Sequence, residues 1–158
     1  MTGWRIGYAT GPADLIAAMV KLQGQQTTNA CSVAQAAALA ALTGPQDHLA
    51  AWGAAYARRR DRVAARLKGT GLRLGRPAGA FYHFADVSAL LGRRAPDGTV
   101  IETDTDLVAF LLEATGVATV PGSAFAAPGH LRICHAKSDA DLERACSLMS
   151  DALATLHP

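Results

Sequence analysis

Lysine is scarce in this sequence: Lys21, Lys68 and Lys137 stand against twelve arginines. Those arginines form no long basic tract and the formal balance is only +2, so nucleic acid is not an expected partner. Cysteine is equally sparse. Cys31, Cys134 and Cys146 are an odd set with neither CxxC nor metal-ligand spacing, which points to free thiols in a reducing compartment rather than to a disulfide framework. His48, His83, His130, His135 and His157 also lack ligand spacing, and no metal is expected. The longest apolar stretches are alanines interrupted by Gln and Thr, and Met1 to Gly11 lacks the basic-then-apolar order of a signal peptide. No membrane association is expected, and the expected location is the cytoplasm. Apolar residues make up half of the 158, enough for a domain with a core of its own.

Along the chain, Trp4 to Thr10 alternates and carries aromatic and β-branched residues, so a short strand is predicted, stopping at Gly11-Pro12. Leu15, Ile16, Met19, Val20 and Leu22 fit a following helix, with Asp14 in its first turn, and Gly24 to Asn29 reads as a polar loop. From Ser32, a good N-cap, an alanine-rich helix runs to Leu42 and is expected to be buried; Thr43-Gly44-Pro45 ends it. Asp47 to Lys68 has the composition of a long amphipathic helix, with Leu49, Trp52, Tyr56, Val63 and Leu67 as its stripe. Beyond Gly69 the pattern shortens. Strands are predicted at Leu72–Leu74, Phe81–Val87, Val117–Val120 and Leu131–His135, with helices over Asp104–Ala114 and from a Ser138 cap to about Leu156. This order argues for an α/β or α+β sandwich from about Asp47 onward.

Two arginines stand out. The opening Gly3-Trp4-Arg5-Ile6-Gly7 places a guanidinium between two glycines, where the backbone can pass close to a ligand; read alone it equally fits a strand with an exposed arginine. Further on come Val120-Pro121-Gly122-Ser123-Ala124-Phe125 and then Gly129-His130-Leu131-Arg132-Ile133-Cys134-His135-Ala136. In a strand, Arg132 points to the face opposite Leu131 and Ile133, as a binding group or as an edge charge. Between these blocks lie Gln25-Gln26-Thr27-Thr28-Asn29 with Ala34-Gln35, then Tyr56 with Arg59-Arg60-Asp61, then Gly79-Ala80-Phe81-Tyr82 with Phe84. Five blocks in this order resemble the C-terminal portion of class I/II, aspartate aminotransferase-like, pyridoxal-phosphate-dependent aminotransferases, and the resemblance covers nearly the whole chain.

The resemblance implies a fold type I, α/β architecture: residues 1–46 as the end of the large cofactor-binding domain, and 47–158 as the connecting helix and the small C-terminal α/β domain. It assigns Arg5 to the phosphate of pyridoxal 5'-phosphate and Arg132 to the α-carboxylate of the substrate, both tasks for a planar, permanently charged fork. It places Thr28 and Asn29 near the dimer interface and the partner's active site, as candidate substrate-binding residues. It implies an amino acid and a 2-oxo acid as substrates, with a carboxylate side chain such as that of aspartate favoured, and a homodimer for the full-length protein. Ala126 stands where the family has glycine, so a different turn is expected there. The lysine that holds the cofactor is expected upstream of Met1, so no catalytic residue is assigned here and the 158 residues are expected to be inactive alone. Two other readings remain: an aminotransferase-like effector domain of a transcription regulator, and a stand-alone, non-catalytic fragment.

Overall fold

Helix α1 (Ala13–Gln26) starts behind Pro12, whose missing N–H does no harm at a helix start, and Asp14 faces the positive end of its dipole. The computed structural model describes all 158 residues and divides them into two compact units, Met1–Leu49 and Ala50–Pro158. In the first unit α1 runs two residues past Gly24, through Gln25 and Gln26, although a loop was expected from Gly24. A single glycine costs a helix only about 1 kcal/mol, and the glutamines favour it. The helix ends where Thr28 turns left-handed, with φ 66°.

The strand expected at Trp4–Thr10 does not form. Thr2–Trp4 makes one 3-10 turn, Arg5 follows in the left-handed region, and residues 6–12 have no regular structure. A strand needs a partner for its backbone N–H and C=O groups, and this unit contains no other strand. Helix α2 (Ser32–Thr43) begins at Ser32 itself, with Cys31 rather than Ser32 in the capping position. The expected burial of α2 also fails, since Ala34 is its one buried residue and Val33, Leu39 and Leu42 face solvent. No second layer of this unit covers those side chains.

The second unit holds most of helix α3 (His48–Arg66), β1 (Arg73–Leu74), β2 (Tyr82–Asp86), α4 (Asp104–Thr115), β3 (Val120–Pro121), β4 (His130–Cys134) and α5 (Asp139–Ala154). The sheet is antiparallel throughout, in the order β1-β2-β4-β3. Of the expected α3 stripe, Val63 and Leu67 are fully buried, Tyr56 is half-buried, and Leu49 and Trp52 are exposed. Val63 and Leu67 join Ala85, Leu131 and Ile133 from the sheet, Leu107 and Leu111 from α4, and Leu142, Cys146, Met149 and Leu153 from α5 in one core. Helices therefore cover one face of the sheet, and the alternation of the strands decides which side chains meet them. His83 and Ala85 turn inward from β2, and Leu131 and Ile133 from β4. Tyr82, Phe84 and Arg132 are left for the other face.

Candidate functional site

In the first unit, Arg5, Thr28 and Asn29 come together along one open groove of about 840 Å³ whose walls are largely apolar, with Ile16, Met19 and Leu39 among them. Arg5 is the only charged residue lining it. Its guanidinium makes one hydrogen bond, Nη1 donating to the Thr2 carbonyl at 3.2 Å, and no ion pair. The remaining N–H donors stay free for an anion. The backbone around the groove is locally strained: Arg5 (φ 51°) and Thr28 (φ 66°) both occupy the left-handed region, which a β-branched residue such as Thr28 seldom adopts. Such strain, on the order of 1–3 kcal/mol, persists where surrounding structure imposes it and gathers at ligand sites. At the start of α2 the amides of Ala34 and Val33 draw the Cys31 thiol below its usual pKa.

In the second unit, Arg132 sits in the middle of β4, an interior strand, so it is not an edge charge. It pairs in register with Phe84 on β2 and Val120 on β3. Its Cζ lies 4.5 Å from the ring centre of Tyr82 and 4.5 Å from that of Phe125. No hydrogen bond or ion pair ties it down, whereas Arg59, Arg62 and Arg73 are paired with Asp139, Asp139 and Asp86 respectively. A half-buried guanidinium without an acidic partner is an open seat for a carboxylate.

Phe125 reaches Arg132 because of how the turn after β3 is built. Residues Gly122–Phe125 form a 3-10 turn closed by Ala126 at φ 55°. The turn that was expected to differ because of Ala126 thus places this alanine in the left-handed region that glycine favours. Gly122 is required by close approach, since a Cβ there would run into the Ala127 carbonyl and the His130 side chain. Asp104, the first residue of α4 and buried, anchors the turn by accepting the Ser123 N–H on Oδ2 at 2.7 Å. Tyr82, Phe125 and Asp104 escaped the sequence reading of the site. The Gly79-Ala80-Phe81-Tyr82 and Gly-Ser-Ala-Phe blocks held two of them, but spacing alone does not say that they meet Arg132.

Behind the sheet, His83 and His135 lie fully buried with ring centres 5.2 Å apart. The ring nitrogen Nε2 of His83 donates to the Arg60 carbonyl at 3.0 Å. Neither Nδ1 has a partner. Burial, then the nearby His83, Arg60 and Arg59, hold His135 down at a pKa of about 4.

Comparison with known proteins places this geometry in context. The sequence profile described as "Aminotransferase class I and II" matches residues 1–148. The chain is 50% identical over 147 residues to a probable aspartate/prephenate aminotransferase of Rhizobium leguminosarum bv. phaseoli, covering 92% of this chain and 37% of that protein. It is 47% identical over 148 residues to an aspartate/prephenate aminotransferase of Cereibacter sphaeroides, again 37% of that protein. The crystal structure of the aspartate aminotransferase from Rhizobium meliloti superimposes with a TM-score of 0.83 at 46% identity, covering 99% of this chain and 40% of that one. The chain thus spans little more than a third of the length of these relatives.

Proposed function

This chain belongs to the class I and II aminotransferases, with the fold of the type I pyridoxal-phosphate enzymes, and on that footing we propose that it contributes to the transfer of an amino group from an amino acid to a 2-oxo acid. The observation that carries the reading is Arg132, a half-buried guanidinium on an interior strand with no acidic partner and its donors free. Arg132 would hold the α-carboxylate of either substrate by two charge-assisted hydrogen bonds, setting the α-carbon at one place relative to the protein.

The groove of the first unit fits the phosphate end of pyridoxal 5'-phosphate: one unpaired guanidinium, no carboxylate in the lining and apolar walls. Arg5 would hold that phosphate, and Thr28 and Asn29, which line the same groove, would contact the substrate. When bound, the cofactor would supply the aldehyde that takes up and returns the amino group and the ring that draws electrons from it. The reaction also needs a lysine at the cofactor, and none of Lys21, Lys68 and Lys137 lines the groove. The 158 residues by themselves are therefore inactive in this reading. Residues 1–46 act as the end of a large cofactor-binding domain and 47–158 as a connecting helix and small domain.

Aspartate is the first amino acid to try, since the relatives named above carry it in their names. Exposed apolar side chains on the first unit, such as Leu15 and Leu22, fit a surface that the rest of the large domain covers, and the homodimer of the whole protein is proposed from the family resemblance alone. Three free cysteines support the cytoplasm, and no helix is long and apolar enough to cross a membrane. An effector domain of a regulator is not favoured, since the relatives named are enzymes. The test is amino-group exchange between aspartate and 2-oxoglutarate in the protein that carries this chain together with a cofactor lysine. Failure to exchange with any amino acid and 2-oxo acid pair would overturn the proposal.

A further inference from the structure

A guanidinium on an open sheet face is free to swing through many rotamers, and an arginine that must receive a carboxylate in one orientation needs something to stop it. The usual brace for an arginine is an acidic side chain, but an acidic brace would occupy the same N–H edge that the ligand needs and would cancel the charge. Arg132 is braced differently. Tyr82 lies diagonally across from it, since β2 and β4 pair Tyr82 with Cys134 and Phe84 with Arg132, and diagonal neighbours on one face are within reach of long and aromatic side chains. Phe125 approaches from the turn after β3. Both ring centres are 4.5 Å from Cζ. Aromatic faces engage the flat, weakly hydrated faces of a guanidinium and leave its N–H edges untouched.

Each brace is itself held. The Phe125 ring meets Phe84 edge-on at 6.4 Å, and Phe84 stacks on His130 at 4.9 Å with the planes 11° apart. Tyr82 packs on Phe81 at 4.5 Å. The backbone under Phe125 is fixed by the Asp104 to Ser123 hydrogen bond described above. We infer that Tyr82 and Phe125 are positioning residues that hold the Arg132 guanidinium in one plane and keep its N–H edge free for a carboxylate. This rests on the reading of Arg132 as the carboxylate seat.

The test uses the full chain labelled with ¹⁵N-arginine and acetate as the probe. The Arg132 Nε–H resonance, identified by its disappearance in Arg132→Gln, is expected to be displaced by the ring currents of the two aromatics and to move saturably with acetate. Phe125→Leu keeps an apolar side chain but removes the ring. It should reduce the displacement and weaken acetate binding about threefold to fivefold, the size of one exposed cation–aromatic contact, while Phe125→Tyr should restore both. Tyr82→Leu removes the other brace from a different element and should act alike, so the inference stays testable if one variant fails to fold. Loss of the ring-current displacement with unchanged acetate affinity in both leucine variants would overturn the inference and leave the carboxylate reading standing. A displaced Arg132 resonance that ignores acetate in the unsubstituted chain would instead overturn the carboxylate reading, and the clamp with it.

Discussion

His83 and His135 face each other in the interior of the larger unit with ring centres 5.2 Å apart, and only His83 spends a ring nitrogen on a protein partner, the Arg60 carbonyl. Charging His135 would put a cation in a buried place where Arg59 and Arg60 already stand. The surroundings of His135 favour its neutral imidazole.

Stability of this unit should therefore depend on pH through His135. Its folded pKa is about 4 against an ordinary 6.5, so the unfolded chain binds one more proton between those values. The stabilisation is complete above pH 6.5 and is lost progressively as the pH falls towards 4, by up to about 3 kcal/mol. Urea unfolding at pH 7.5 and pH 4.5 should show a smaller drop in His135→Gln than in the unsubstituted chain. Equal drops would mean that His135 is not the group responsible.

The two arginines should separate in a catalytically complete protein. Arg132→Lys keeps the charge and loses the planar fork, so the amino acid is held loosely; misplacement by about 1 Å can lower the rate on the order of a hundredfold. Cofactor affinity should hardly change. Arg5→Lys should mainly weaken the cofactor. Steady-state kinetics with cofactor titration reads both, and a reversed pattern would exchange the two assignments.

Ala126 closes the turn that carries Phe125 from the left-handed region, at φ 55° and exposed to solvent. Alanine is disfavoured there by about 1 kcal/mol relative to glycine. Ala126→Gly should raise the melting temperature of the chain by a few degrees. A decrease would show that the turn adopts another conformation in solution.

Incubation of the chain with pyridoxal 5'-phosphate followed by borohydride reduction and peptide mapping should label no lysine stoichiometrically. Lys21, Lys68 and Lys137 are all absent from the lining of the groove that holds Arg5. One specifically modified lysine would defeat the proposal that these residues are inactive alone.

Local chemistry was legible in the linear order of residues. Alternation around Leu131-Arg132-Ile133 puts the arginine opposite two core side chains, and in the fold those two are buried while Arg132 is not. Ser138 caps α5, accepting the Asp141 N–H at 3.1 Å, because a hydroxyl at that position reaches an amide three residues on. The family resemblance, carried by short blocks in order, was equally a property of the sequence.

What depends on distant partners was not legible. Trp4 to Thr10 has the residues of a strand and no strand beside it, so its backbone groups find no ladder. Helix α2 has an apolar composition and no layer to bury it. The clamp on Arg132 joins Tyr82, far back in the chain, to Phe125, only a turn away, and it exists because β2 and β4 pair in one register and Asp104 pins the turn. A shift of that register by one residue would send Tyr82 and Arg132 to opposite faces. Residue type therefore determined which groups could bind an anion, and strand register with turn anchoring decided which of them meet, because side-chain direction in a sheet is set by pairing between strands rather than by neighbours along one.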